Sequence, residues 1–263
     1  MKPSFIFYLS LLAFATSCEK VIHVDTDTAA TKLVIEGTIS NQADREPEVR
    51  ISTTKAIDDN NNFIGVSGAA VTISDDNGNT WPLAEGDQGI YQTAAFTGAP
   101  GKTYHLSVTV NGQQFTASST MPATLVPLDS LDVTEMNYGD GMQKTVRPYF
   151  NDPAGQANYY RLVQYANQEQ VKKIFIQNDE LSDGKTISWE MMNPDGDLRQ
   201  GDDVQVDLLC IDEPAYKYWY TLLMGATGEN QGPTPSNPVT NIQGGALGYF
   251  SAYSVSTKSI IIP

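Results

Sequence analysis

The stretch AAVTISDDNGNTWPL, residues 69–83, contains a complete β-hairpin pattern. Val71 and Ile73 alternate with polar residues, as in a strand that buries only one of its faces. An Asn-Gly pair follows at 77–78, and both residue types tolerate the positive φ that a tight turn requires. The apolar alternation resumes at Trp81. This stretch therefore predicts two antiparallel strands joined by a short turn.

The same pattern recurs through the first half of the chain. A period-two alternation begins at Leu33, and a second hairpin pattern turns at an Asn-Gly pair at 111–112. Short strands with turn signals about every ten residues are typical of an antiparallel sandwich. The order of the patterns resembles the immunoglobulin-like or transthyretin-like modules of secreted bacterial proteins. Residues 32–122 are therefore predicted to form such a β-sandwich.

Residues 123–263 predict a second β-rich domain. Strand-length apolar or alternating patterns lie at 158–166, 171–179, 185–192 and 202–212. A Gly/Pro-rich loop follows at 228–238, because three prolines and two glycines prevent regular structure there. The sequence as a whole therefore predicts a mainly β protein with two antiparallel β-sandwich-like domains.

One helix is predicted near residues 213–225 of the second domain. Asp212 can cap its first turn, and Pro214 suits that turn because its missing N–H is not needed there. The aromatic stripe that follows is typical of a helix that packs on a sheet. The residues at helical spacing are Tyr216, Trp219, Tyr220 and Leu223.

The first 31 residues have the pattern of an export signal followed by a tether. Residues 5–15 are nearly all apolar but too few to cross a hydrocarbon core as a helix, which needs about 20 residues. Small residues precede Cys18, and residues 15–18 look like a bacterial lipobox, in which the cysteine is acylated. We therefore predict a lipoprotein signal peptide at 1–17, an acylated Cys18 that holds the protein on the lipid bilayer, and a tether at 18–31. An ordinary signal peptide and an N-terminal membrane helix are the alternatives.

The chain is strongly acidic, with 31 Asp and Glu against 16 Lys and Arg and a net charge of −15. A surface of this sign repels the phosphate backbone of nucleic acids. We therefore expect no nucleic acid partner.

Residues suited to catalysis or metal binding are sparse. With two His and two Cys in the chain, a nucleophilic triad would depend on His105. Cys210 lies in an apolar run and is predicted to be a small buried residue. Asp58, Asn60 and Asn62 alternate like calcium ligands, but their loop lacks the glycine and the closing glutamate of an EF-hand, so they are weak candidates. We predict no cofactor and no enzymatic activity.

Three stretches together resemble a family of Bacteroidota outer-membrane lipoproteins known as a domain of unknown function, DUF4249. They are CEKVIHVDTDTAATKLVIEGTISNQ at 18–42, YKYWYTLL at 216–223 and NPVTNIQGGALGYFSAYSV at 237–255. The resemblance implies a lipid-anchored protein of the outer membrane that works beside a TonB-dependent transporter, and it brings no catalytic residues. Whether the protein faces the periplasm or the cell surface stays open.

The segment before the last strand is the predicted binding surface. Glycines beside bulky residues indicate close backbone approach, and such a surface is stiff at low entropic cost. The candidate residues are Asn241, Gly244, Gly245, Gly248, Tyr249 and Phe250. We therefore expect an accessory protein that binds a ligand or partner. An envelope hydrolase acting on glycan or peptide would instead show a deep polar pocket, and a structural spacer would show neither feature.

Overall fold

The computed structural model describes residues 31–55, 63–138, 141–192, 198–226 and 237–263, without the side chains of Tyr138 and Ala226. The described residues belong to one compact unit that runs from Thr31 to Pro263. Within these ranges the protein is mainly β, as predicted, with fifteen strands and one helix. No helix in the described ranges is long and apolar enough to cross a membrane.

The strands of the first half are β1 (Leu33–Ser40), β2 (Glu48–Thr53), β3 (Ala70–Asp75), β4 (Thr80–Glu85), β5 (Ile90–Gln92), β6 (Thr103–Val110) and β7 (Gln113–Thr120). Those of the second half are β8 (Ser130–Tyr138), β9 (Gly141–Asn151), β10 (Tyr159–Ala166), β11 (Glu169–Gln170), β12 (Phe175–Asn178), β13 (Thr186–Ser188), β14 (Asp203–Ile211) and β15 (Leu247–Ile261). The helix, α1, spans Glu213–Ala226 and confirms the helix predicted near 213–225.

Twelve strands form one large sheet and three form a small one. The large sheet has the order β11-β10-β14-β15-β1-β2-β5-β4-β3-β6-β7, with β12 added beside β10. The small sheet has the order β13-β9-β8. All described strand pairs are antiparallel except β1 with β15, which is parallel.

The two predicted hairpins are confirmed. In the β6–β7 hairpin, Val110 pairs with Gln113, and the turn between them has positive φ at Asn111 and Gly112. In the β3–β4 hairpin only Gly78 has positive φ, because the loop is longer. The Asp75 carboxylate accepts hydrogen bonds from the backbone N–H groups of Asn77 and Asn79, which fixes that loop.

The long strand β15 joins the two halves of the chain. Its first half pairs with β1 and contributes Phe250 and Ala252 to a core built mainly from residues 35–121. Its second half pairs with β14 and leads to Ile262, which belongs to a core built from residues 126–262. The two regions predicted as separate sandwiches, 32–122 and 123–263, therefore each have a core and share a strand.

Gln164 is an unusual member of the second core. It is 1% exposed, and neither atom of its side-chain amide has a hydrogen-bond partner among the described residues. Two positions before it on the same strand, Leu162 is part of that core, and two positions after it, Ala166 packs against the core. A buried polar group without a partner costs about 1–3 kcal/mol.

We expect Gln164→Met to raise the free energy of unfolding by about 1–2 kcal/mol, because methionine has a similar shape and no unpaired polar atoms. Urea unfolding of the full chain measures this change. The control is Gln170→Met, on an exposed strand, where a change within about 0.5 kcal/mol is expected. A loss of stability in Gln164→Met would show that the amide has a favourable role in the core.

Candidate functional site

Helix α1 is fixed at its start by the predicted cap, Asp212. One oxygen of this carboxylate accepts a hydrogen bond from the backbone N–H of Ala215, at 3.2 Å. The other accepts from the Ser119 hydroxyl at 2.7 Å and from the backbone N–H of Thr120 at 3.0 Å. Burial raises the pKa of Asp212, and these hydrogen bonds act against that rise. The cap therefore also attaches the helix to β7.

The helix covers one face of the large sheet, which we call the α1 face and which carries Val163, Leu209 and Val255. The buried side of the helix is offset from the predicted stripe. Ala215 is fully buried, whereas Tyr220 of the stripe is 44% exposed. The spacing of the aromatic residues correctly predicted a helix that packs on a sheet. The residues that the helix buries lie along a line next to the predicted stripe.

Tyr249, one of the predicted binding residues, lies beneath this helix. Its ring centroid is 4.7 Å from that of Tyr218 and 5.0 Å from that of Trp219. Burial raises the pKa of Tyr249 to about 12, so its hydroxyl stays protonated at neutral pH. The guanidinium of Arg161, on β10, lies 3.5 Å from the centroid of the Trp219 ring.

Arg161 is half-buried, and no carboxylate of the described residues lies within ion-pair distance of it. Three other arginines form ion pairs, whereas Arg161 lies over the Trp219 ring, close to tyrosine hydroxyls, and interacts with the Glu36 carboxylate only beyond ion-pair distance. Burial lowers the pKa of Arg161, while the nearby hydroxyls of Tyr249, Tyr253 and Tyr165 raise it. The contact with Trp219 offsets part of the cost of burial, since a desolvated cation–π contact contributes about 2 kcal/mol.

A second guanidinium, that of Arg45, reaches the same face from the loop between β1 and β2. It bonds Asp207 of β14 at 2.7 Å, and Asp207 is completely buried. The same carboxylate accepts hydrogen bonds from the Thr257 hydroxyl at 2.7 Å and the Gln205 amide at 3.1 Å. These contacts hold the loop against β14 and β15.

An open cleft of about 580 Å³ lies beside this ion pair, and we call it the β1–β2 cleft. Tyr165 and Tyr253 interact electrostatically with both Arg45 and Arg161, and we call these four residues the cluster on the α1 face. Burial raises the pKa of both tyrosines, so their hydroxyls are available as hydrogen-bond donors. The cleft is lined by Gln42, Ala43, Asp44, Arg45, Gln205 and Thr257.

The residues of the described part that could hold a metal ion are Asp152, Asp179 and Asp183. One oxygen from each lies within 4.8 Å of the others, and hard cations such as calcium prefer oxygen ligands. Hydrogen bonds already use this group, since the backbone N–H of Asn158 donates to Asp179 and that of Gly155 to Asp183. These bonds account for the cluster as a link between two loops.

The predicted glycine segment is divided between packing and exposure. Gly244 and Gly245 are exposed, whereas Gly248 lies directly against the backbone of Ile35. The accessible part of this segment is therefore the turn at Gly244 and Gly245, while Gly248 is covered by β1.

Asn241 and Phe250 have structural contacts. The Asn241 amide donates to the carbonyl of Phe250 at 2.8 Å and accepts from its backbone N–H at 2.9 Å. The Phe250 ring is completely buried in the first core. These two residues thus fix the start of β15 against the segment that precedes it.

Other predicted residues fall outside the cluster or outside the described residues. Cys210 is buried, as predicted, and burial raises the pKa of its thiol. His105 is exposed and bonds Asp76 at 2.7 Å. The residues outside the described ranges are Cys18, Asp58, Asn60, Asn62 and most of the loop 228–238.

Sequence reasoning did not select Arg45, Arg161 or Asp207. The available signal was Asp207, a charged residue inside the otherwise apolar run 206–211. A carboxylate in such a strand needs a buried partner, which the run itself does not identify.

Comparison with protein families gives a match over residues 19–259 to the model described as "Domain of unknown function (DUF4249)". A search of curated proteins found no match.

Proposed function

We propose that this chain, which belongs to the DUF4249 family, is a non-enzymatic binding component that a lipid on Cys18 holds at the bacterial outer membrane. The lipobox-like residues 15–18 and the short apolar run before them support this anchor. A single acyl chain binds a bilayer only marginally, whereas two or more hold a protein firmly. The tether at 18–31 would then let the folded part reach a neighbouring membrane protein.

The observation that carries the binding function is the cluster on the α1 face. Arg161 is half-buried, lies over the Trp219 ring and has no carboxylate within ion-pair distance among the described residues. An open cleft lies beside the associated Arg45–Asp207 pair. A few fixed polar groups in a cleft orient and select a ligand.

A transporter of the TonB-dependent class is the partner that we propose, and this part rests on the family resemblance. If the protein were instead an envelope hydrolase, reactive side chains would be expected to line the cleft. His105 and Cys210 are the reactive side chains that the sequence singled out, and neither lines it. A spacer would have no reason to keep a half-buried guanidinium that forms no ion pair with the described carboxylates.

Cys18→Ser is expected to move the protein from the membrane fraction to the soluble fraction, because the thiol that carries the lipid is lost. Cell fractionation with a salt wash measures this shift. The matched control is Cys210→Ala, which removes the other cysteine and should leave the protein in the membrane fraction.

A tagged full chain purified from native membranes should then enrich an outer-membrane transporter over a tag-only control, with mass spectrometry as the readout. The proposal fails if Cys18→Ser stays membrane-bound, or if no outer-membrane protein is enriched. Release of new ends from cell-wall glycan or peptide substrates by the purified chain would favour the hydrolase.

A further inference from the structure

We propose that the outer side of α1 binds an extended basic segment of a partner protein. The surface is built on a row of three tyrosine rings, those of Tyr159, Tyr216 and Tyr220, which we call the tyrosine row. An arginine side chain of the segment stacks on the row, and the carboxylate of Glu180 pairs with its charge. None of these residues lines the β1–β2 cleft, so this inference goes beyond the proposed function.

The geometry of the rings is the first support. The Tyr216 ring centroid lies 5.1 Å from that of Tyr159, on β10, and 6.0 Å from that of Tyr220, one helical turn further along α1. The row is therefore roughly 10 Å long, a distance that about three residues of an extended chain span at about 3.3 Å each. Tyr220 is 44% exposed, and the other two rings belong to partly exposed residues. A short stretch of extended chain can thus lie along the row.

The charge around the row is the second support. Tyr159 interacts electrostatically with the carboxylates of Asp179, Glu180 and Glu213 and with the ammonium of Lys217. Lys217 forms an ion pair with Glu213 at 2.7 Å, so these two charges compensate each other. Glu180 is exposed and forms no ion pair with a described residue. The row therefore lies in a negative environment that attracts a cation.

An open pocket of about 270 Å³ lies at the Tyr159 end of the row. One of its lining residues is two positions before Tyr159 in the chain, and another directly follows Asn178, the register partner of Tyr159. The ammonium of Lys185 donates to the carbonyl of Leu181 at 3.2 Å and offsets part of the charge of the three acids in the lining. The lining residues are Gly155, Gln156, Ala157, Asp179, Glu180 and Asp183.

Rings beside carboxylates favour a guanidinium as the bound group. The face of a tyrosine ring attracts a cation. A planar guanidinium stacks on such a face, and the N–H groups at its edge remain free to bond the two oxygens of a carboxylate. An acidic segment is repelled by the same carboxylates. A neutral glycan also stacks on aromatic rings, but it leaves the negative charge of the surface uncompensated.

Exposed apolar side chains next to the row favour a protein partner. Val239 is 54% exposed, and its backbone N–H bonds the hydroxyl of Thr221, the residue after Tyr220, at 2.8 Å. Leu181, the residue after Glu180, is 88% exposed. Exposed apolar groups with polar groups around them are typical of protein interaction surfaces. The segment that fits this surface therefore carries apolar as well as basic side chains.

The test follows the ring resonances of the tyrosines in the full chain by NMR, in detergent and at low salt. The probes are a capped Gly-Arg-Leu-Arg-Gly peptide, the same peptide with glutamate in place of both arginines, and the neutral glycan maltotetraose. We expect the arginine peptide to shift the rings of Tyr216 and Tyr220 in a saturable manner. The ring of Tyr149, a partly exposed residue of β9 in the small sheet, is the internal control and should not shift.

Substitutions separate the contribution of the ring from that of the charge. Tyr220→Ala should weaken binding of the arginine peptide about two- to fivefold, since it removes an exposed cation–π contact. Glu180→Gln should weaken binding about twofold or more and reduce its dependence on salt, since it removes an exposed charge. The matched control is Glu135→Gln, at an exposed acid of β8, which should bind as the unchanged chain does. Thermal unfolding checks that each variant is folded.

Several results would overturn the inference. They are the absence of a shift in the tyrosine row with the arginine peptide, an equal shift at Tyr149, equal binding of the glutamate peptide, and unchanged binding in both Tyr220→Ala and Glu180→Gln. Tighter binding of maltotetraose than of the arginine peptide would also overturn it and would identify a glycan surface instead. The transporter capture described above judges the proposed function separately, because it does not depend on added peptides.

Discussion

Gly248→Ala is expected to lower the free energy of unfolding by about 4 kcal/mol or to prevent folding. A Cβ atom at this position would lie 2.0 Å from the carbonyl oxygen of Ile35, which is far inside van der Waals contact. The backbone also has φ of +101° there, a region that residues with a side chain rarely adopt. Ile35 and Gly248 are register partners in the parallel β1–β15 pair, so neither strand can move away without breaking the pairing.

The matched control is Gly245→Ala. Gly245 has a similar φ of +93°, but a Cβ atom there would meet nothing within 4 Å. Only the conformational cost remains, which is about 1–2 kcal/mol. Chemical unfolding of both variants therefore separates the steric cost from the conformational one. Equal losses at the two positions would show that β1 and β15 do not approach each other as closely as described.

Gly248 also shows how far sequence reasoning can reach. The predicted close backbone approach is confirmed at Gly248, since the missing Cβ is a local property. The partner of that approach is β1, near the other end of the chain, and no local pattern specifies it. The predicted binding surface therefore included residues that the β1–β15 pair buries, such as Phe250.

The local elements were more predictable. Both Asn-Gly hairpins and the capped helix formed where expected, because a turn or a cap is decided by residues that are adjacent in the chain. The core roles of Val71 and Ile73 also followed from alternation.

The cluster on the α1 face was not predictable in this way. Arg161 lies in a strand whose pattern gives no sign that α1 will cover it, and Arg45 comes from a loop. Their common neighbours, Tyr165 and Tyr253, are on strands that pair through β14. Sites assembled from distant strands require the topology, and the sequence alone did not supply it.

Asp207→Ala is expected to lower the free energy of unfolding by about 3–5 kcal/mol, because it removes one partner of a buried ion pair. Asp207 is completely buried and is the acceptor for Arg45, Thr257 and Gln205. The substitution leaves a guanidinium that is only 28% exposed, together with two polar side chains, without this acceptor. Urea unfolding of the full chain measures the loss.

The control is Glu48→Ala, which breaks the Arg50–Glu48 pair at the surface. The two side chains there are 51% and 29% exposed, so the expected loss is within about 1 kcal/mol. Added salt should reduce that smaller effect and leave the Asp207 effect nearly unchanged, because buried pairs are screened much less. A loss below about 1 kcal/mol in Asp207→Ala would mean that water reaches the pair freely.

A double substitution tests whether the loss arises from the uncompensated charge. Arg45→Met combined with Asp207→Leu replaces the pair by apolar groups of similar size, an exchange that is often neutral or stabilising. We expect the double variant to be more stable than Asp207→Ala, because no guanidinium is then left without its acceptor. If the two variants were equally unstable, the loss would come from the acceptor that Thr257 and Gln205 no longer have. The comparison of the two variants thus shows whether the lost stability comes from the charge of Arg45 in the loop between β1 and β2 or from the polar side chains of β14 and β15.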